Sequence, residues 1–114
     1  MIDVPAERFE ALVAAALDDI PEALGRHMDN VVVQVRDASR QGRLLGLYEG
    51  VPLTARGNYG GLVLPDRITL YRLPILAMCR SEEEVVDQVR TTVVHEVAHH
   101  FGIDDARLHE LGYG

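Results

Sequence analysis

The stretch Ser81–Gly102, SEEEVVDQVRTTVVHEVAHHFG, decides how this chain is read. Ser81 followed three residues later by Glu84 is the capping-box pattern, in which side chains answer backbone N–H groups left free at a helix start. Glu82, Glu83 and Glu84 put negative charge at the positive end of the helix dipole, and Gly102 suits the left-handed turn that closes a helix. The spacing predicts one helix over 81–101. At about 100° per residue, Val85, Val86, Val89, Val93, Val97 and Phe101 share one arc, which should face the core. His95 and His99 lie together outside that arc.

His95-Glu96-Val97-Ala98-His99 places two imidazoles four residues apart, one above the other on a helix face, where both can bind one zinc ion. Glu96 points about 100° away from His95, beside such an ion and not on it, where a carboxylate can take a proton from a coordinated water. Two histidines do not complete a catalytic zinc site, which generally takes three protein donors and leaves one position for water. Few residues follow His99, so the third donor is expected close by. Gly102 breaks the helix and turns the chain back, and Asp105 stands three positions beyond it. Asp104 competes for that role, although its position before ARLHEL suits a helix cap over about 104–111.

Upstream, Pro5 is read as the first residue of an amphipathic helix with Asp3 as its cap, its buried stripe formed by Phe9, Leu12, Val13, Ala16, Leu17 and Ile20. Ile20-Pro21 interrupts it, and Pro21 opens a short second helix to about Met28. Val31–Arg36, VVVQVR, reads as a buried strand. Residues 37–66 read mostly as loop, with a short strand over Leu44–Tyr48 that ends at the Glu49-Gly50 turn. Arg56-Gly57-Asn58-Tyr59-Gly60-Gly61 reads as a flexible excursion, and Arg67–Tyr71 as a two-faced strand running directly towards the long helix. As an edge strand beside the histidines, Ile68, Thr69, Leu70 and Tyr71 are the candidate substrate-binding residues, pairing with an extended peptide through the main chain.

The 114 residues suffice for a single core, so one domain over 1–114 is expected. The chain carries 11 basic and 18 acidic side chains and a net charge of −7, every basic residue being arginine. No basic run supplies the footprint that nucleic-acid binding needs, and no apolar run is long enough to span a membrane. The N-terminus lacks a basic region ahead of an apolar segment. Cys79 stands alone and reads as a small core residue, which agrees with a reducing, cytoplasmic location. The pattern is that of an α+β domain: a small twisted sheet packed on the first helix and the long one.

Through H-E-x-x-H-x-x-G-x-x-D (His95 to Asp105), together with LLGLYEG, PDRITLYR, TTVVHEVAHHFGIDD and the closing LGYG, the chain resembles the zincin metallopeptidases. The small single-domain bacterial minimal zincins are the nearest likeness. The resemblance implies a zincin-like fold and zinc-dependent hydrolysis of peptides or proteins, with His95, His99 and Asp105 as zinc ligands and Glu96 as base. It departs from the metzincins, which usually carry histidine at the Asp105 position and a methionine turn beneath the metal; no methionine follows Asp105 here. Tyr113 is a candidate for steadying the oxyanion, against plain C-terminal packing. His100 is expected near the Val89 and Val93 face as a hydrogen-bonded, partly buried histidine, and His109 and Glu110 on a solvated face. Two other classes stay open: a zinc-containing adaptor with little turnover, and a hydrolase acting on a non-peptide amide. Retention of Glu96 favours an enzyme, since a structural site needs no base.

Overall fold

The computed structural model describes residues 1–51 and 64–113, so the Arg56–Gly61 excursion lies outside the described residues. Helix α1 spans Ala6–Leu17, with Pro5 one position before it at the cap in an extended conformation. No side chain caps this helix, which removes Asp3 from that role. Phe9, Leu12, Val13 and Ala16 are buried, and Leu17 and Ile20 pack half-buried against the same core. After Pro21 comes the short α2, Glu22–Gly25, whose continuation over Arg26–Met28 tightens to a 3-10 turn.

Strand β1 is Val31–Arg36, β2 is Gly46–Glu49 and β3 is Asp66–Tyr71. Their order is β1-β3-β2, with β1 parallel to β3 and β2 antiparallel to it. Two expectations change here. First, β1 lies at one edge of the sheet and is only half-buried: Val31, Val33 and Val35 pack on the core while Val32 is exposed. Second, β3 is the centre of the sheet. Both of its sides are taken up by neighbouring strands, and Ile68, Thr69, Leu70 and Tyr71 are all buried. Their main-chain groups already serve the ladder, so these four residues do not form a docking edge for a peptide.

Between β3 and the long helix the chain forms α3, Arg72–Ala77. Pro74 is tolerated because it sits in the first turn, where N–H groups have no intrahelical partner in any case. Arg72 ties this turn down, donating to the Val4 carbonyl (2.7 Å) and to Asp37 (3.1 Å). Helix α4 runs Glu82–Phe101, and Ser81 Oγ accepts from the Glu84 N–H at 3.1 Å. The return bond of the box shifts by one residue: Glu84 Oε1 accepts from the Arg80 N–H.

Helix α4 packs between α1 on one side and the sheet on the other, so its buried surface is wider than one arc. Thr92, Val94 and Ala98 join Val85, Val89, Val93 and Val97 inside. Phe101, expected in the core, is 40% exposed and stacks on His27. Cys79 is buried as expected. No helix of the described residues is long and apolar enough to cross a membrane.

Candidate metal centre

The long helix carries His95, Glu96 and His99, and two glycine turns bring the C-terminal residues round to it. Gly102 has φ 70°, and at this turn the Ile103 N–H donates to the Ala98 carbonyl (2.8 Å) and the Gly102 N–H to the His99 carbonyl (3.4 Å). This paired closure satisfies the last helical carbonyls and sends the chain back along the helix. It leads into α5, Asp105–Glu110, where Asp104 is the cap, its carboxylate accepting from the Arg107 N–H at 2.9 Å. Gly112, φ 90°, repeats the closure, with Tyr113 N–H donating to the Leu108 carbonyl at 2.8 Å and Gly112 N–H to the His109 carbonyl at 3.0 Å. The second turn brings the Tyr113 carbonyl to 3.1 Å from His95 Nε2.

His95 and His99 share a face of α4, their rings 6.3 Å apart between centroids and inclined by only 22°. Two imidazoles so disposed are a donor set that suits zinc. The Tyr113 carbonyl can only accept, so Nε2 of His95 carries the proton in this arrangement, and ligation through that nitrogen requires the carbonyl to withdraw. Asp105 is exposed and lines a cavity of about 500 Å³ together with His95, His109 and Tyr113. Among the described residues, however, no three His, Cys, Asp or Glu side chains come close enough together to enclose an ion. The donors therefore fit zinc as a pair, with Asp105 nearby but not joined to them. Tyr113 packs half-buried against the core, and the group it presents to His95 is its backbone carbonyl.

Glu96 faces a different neighbour. Its Oε1 accepts a hydrogen bond from the Tyr48 N–H of β2 at 3.1 Å. The Tyr71 N–H donates to the Leu45 carbonyl, which fixes the phase of the ladder: Leu47 and Glu49 bond inward to β3, while the main-chain groups of Gly46 and Tyr48 point outward. Glu96 thus holds an outward N–H of the strand beside it. Gly46 permits this proximity, since a Cβ there would lie 2.7 Å from Cγ2 of Thr92 on α4. His95, Glu96 and His99 line one cavity of about 250 Å³ with Gly46 and the preceding residues Arg43, Leu44 and Leu45.

Tyr48 is anchored at its far end. Its hydroxyl donates to Asp66 Oδ2 at 2.7 Å, and Asp66 Oδ1 accepts from the Val51 N–H at 2.9 Å. His100 stacks on the Tyr48 ring at 3.9 Å and comes within 3.9 Å of the Asp66 carboxylate. It therefore faces β2 rather than the Val89 and Val93 side expected for it. His109 and Glu110 are exposed, Glu110 pairing with Arg107 at 3.0 Å. The residues that sequence reasoning missed are Arg43, Gly46 and Tyr48. Gly46 carried the available signal, because glycine at a strand often marks the close approach of another element.

No curated protein matches the chain significantly. The sequence profile of a zincin-like metallopeptidase family does match, over residues 17–114, a span that takes in the three strands of the described residues, the histidine helix and the turns at Gly102 and Gly112. By that match, this chain belongs to the zincin-like metallopeptidase family.

Proposed function

We propose that the chain is a zinc-dependent peptidase acting on peptides or proteins in the cytoplasm, with Glu96 as its general base. One observation carries the reading: His95, Glu96 and His99 line a single cavity against the outward edge of β2. His95 and His99 would hold zinc, with Asp105 as the candidate third ligand. Zinc held there would lower the pKa of a coordinated water towards about 7 and polarise the scissile carbonyl. Glu96 takes the proton from the attacking water as its oxygen bonds to the carbonyl carbon. As the C–N bond breaks, Glu96 passes that proton to the departing amine. The outward-facing side of β2, where Gly46 stands, would be the pairing edge for an extended peptide in place of β3. The lone buried Cys79 agrees with a reducing compartment.

The adaptor reading keeps one specific observation, that Asp105 does not close with the two histidines into a three-donor set. The Glu96→Gln variant separates the two readings. It is expected to retain zinc and to cut hydrolysis of an unstructured polypeptide by at least roughly 10²-fold, the scale of an acid-base group. Loss of zinc would make Glu96 a ligand, and a zinc-loaded wild-type protein without turnover would favour the adaptor.

A further inference from the structure

Arg43 also lines the cavity that holds His95, Glu96 and His99, at the end from which β2 begins. It is exposed, and no carboxylate among the described residues pairs with it; the same holds for the guanidinium groups of Arg26, Arg36, Arg40 and Arg80, but of these unpaired arginines Arg43 is the one that lines this cavity. The backbone fixes its position. Gly42 has φ 105°, and the Leu44 N–H donates back to the Gly42 carbonyl at 3.1 Å, closing a three-residue turn with Arg43 at its centre. In a chain of net charge −7, an arginine without a carboxylate is thus presented to the candidate site by a closed turn.

We propose that Arg43 is a specificity residue that binds a carboxylate of the substrate on the C-terminal side of the scissile bond. The inference rests on the peptidase reading above. The side follows from strand direction. Antiparallel pairing, the slightly more stable kind per residue, opposes an incoming peptide to β2, so a peptide passing Glu96 at Tyr48 continues towards Gly46 and then Arg43 with its C-terminal portion. The guanidinium fork matches a carboxylate with paired hydrogen bonds. That carboxylate is an Asp or Glu side chain, or the free C-terminus of a short peptide. Apart from Arg43, Glu96 and the two histidines, the described wall, Leu44, Leu45, Gly46, Gln88, Thr91 and Thr92, carries no charge.

The test uses the zinc-loaded full chain and matched fluorogenic peptides carrying Glu or Gln on either side of the cleaved bond, each with a free or amidated C-terminus. Wild-type protein is expected to prefer the acidic peptide by about 1.5- to 5-fold in kcat/KM when Glu lies on the C-terminal side, the range for an exposed charge pair. Arg43→Gln should bring that ratio towards one, Arg43→Glu should invert it, and added salt should reduce it in the wild type. A response to amidation identifies the free terminus, and a response to Glu against Gln identifies a side chain. A wild-type ratio near one, a ratio unmoved by Arg43→Gln, or a preference confined to the N-terminal side overturns the inference while leaving the peptidase standing. Fluorescence anisotropy of the same peptides on the Glu96→Gln protein supplies a readout without turnover. If nothing is cleaved but acidic peptides still bind in an Arg43-dependent way, the peptidase reading and the scissile-bond assignment fail and only a carboxylate-binding role of Arg43 stands; if nothing binds either, both fall.

Discussion

Gly46→Ala tests whether the edge strand is held against the histidine helix by close contact. The added Cβ would lie 2.7 Å from Thr92 Cγ2 and 3.3 Å from the Thr69 carbonyl oxygen. Carbon atoms prefer about 3.5–4.0 Å, so the helix and strand must part by close to an ångström or Thr92 must leave its rotamer. Overpacking of this kind costs about 1–3 kcal/mol. At this chain length that lowers the melting temperature by on the order of 5–15 °C. Thr92→Ser offers the matching relief, because it removes Cγ2 and keeps the hydroxyl that donates to the Gln88 carbonyl at 2.8 Å and accepts from Gln88 Nε2 at 3.2 Å. Alone it costs about 1 kcal/mol for a buried methyl. Thermal and urea unfolding of the wild type, both single variants and the double variant form a cycle. The double variant should be more stable than the sum of the singles by about 0.5–3 kcal/mol. Strict additivity, or a Gly46→Ala protein as stable as the wild type, would refute the close approach and with it the placement of Glu96 beside β2.

Three further outcomes follow from other parts of the molecule. Asp105→Ala should weaken zinc binding by more than the roughly 10- to 100-fold typical of a group that only supports a ligand, whereas Asp104→Ala should keep zinc and lose about 1 kcal/mol of stability as its cap goes; chelator competition at fixed pH together with unfolding curves distinguishes them. Burial, with Glu84 nearby, pushes the Cys79 thiol above its ordinary pKa, so a thiol reagent at neutral pH should label the native protein far more slowly than the urea-unfolded chain. Hydrogen bonds from Arg8, at 3.1 and 2.7 Å, hold the Glu82 carboxyl below its usual range, and the arginine charge adds to the effect. A carboxyl depressed in the folded state stabilises above its unfolded pKa and stops doing so as pH falls through the folded value. The small stability gap between wild type and Arg8→Gln should therefore be full at neutral pH and close in acid, as measured by melting temperature against pH.

The elements legible in the sequence were those governed by neighbours along the chain. Ser81, Glu84 and Gly102 announce the bounds of α4 because capping acts over three or four residues, and Asp104 announces its own helix in the same way. Strand order was not legible. Arg67–Tyr71 has the alternation of a two-faced strand, but whether it lies at the centre or the edge depends on where Val31–Arg36 and Gly46–Glu49 pair, which no local pattern records. Helix α3 was hidden by Pro74, a breaker in a helix interior and harmless in a first turn. Phe101 kept its helical phase but lies half-exposed at the helix end, stacked on His27 and edge-on to Tyr48. In the candidate site, His95, Glu96 and His99 could be read from spacing alone. The Tyr48 N–H and the Tyr113 carbonyl could not, because main-chain groups leave no mark on residue identity.

On the proposed peptidase reading, the Tyr48 N–H is one donor claimed by two acceptors, the Glu96 carboxylate and a carbonyl of a peptide paired with β2. A peptide that pairs with the outward edge of β2 at that residue must displace the Glu96 carboxylate, which then turns free at the moment a scissile bond arrives. Because the two compete for one donor, whatever tightens the hold of Glu96 on Tyr48 weakens the pairing of a peptide there. A charged acceptor forms roughly twice as strong a bond as a neutral one, so Glu96→Gln, besides removing the base, should loosen that hold and let an uncleaved peptide bind more tightly than it does to the wild type. On that reading, Glu96 occupies the strand edge until a peptide competes for it.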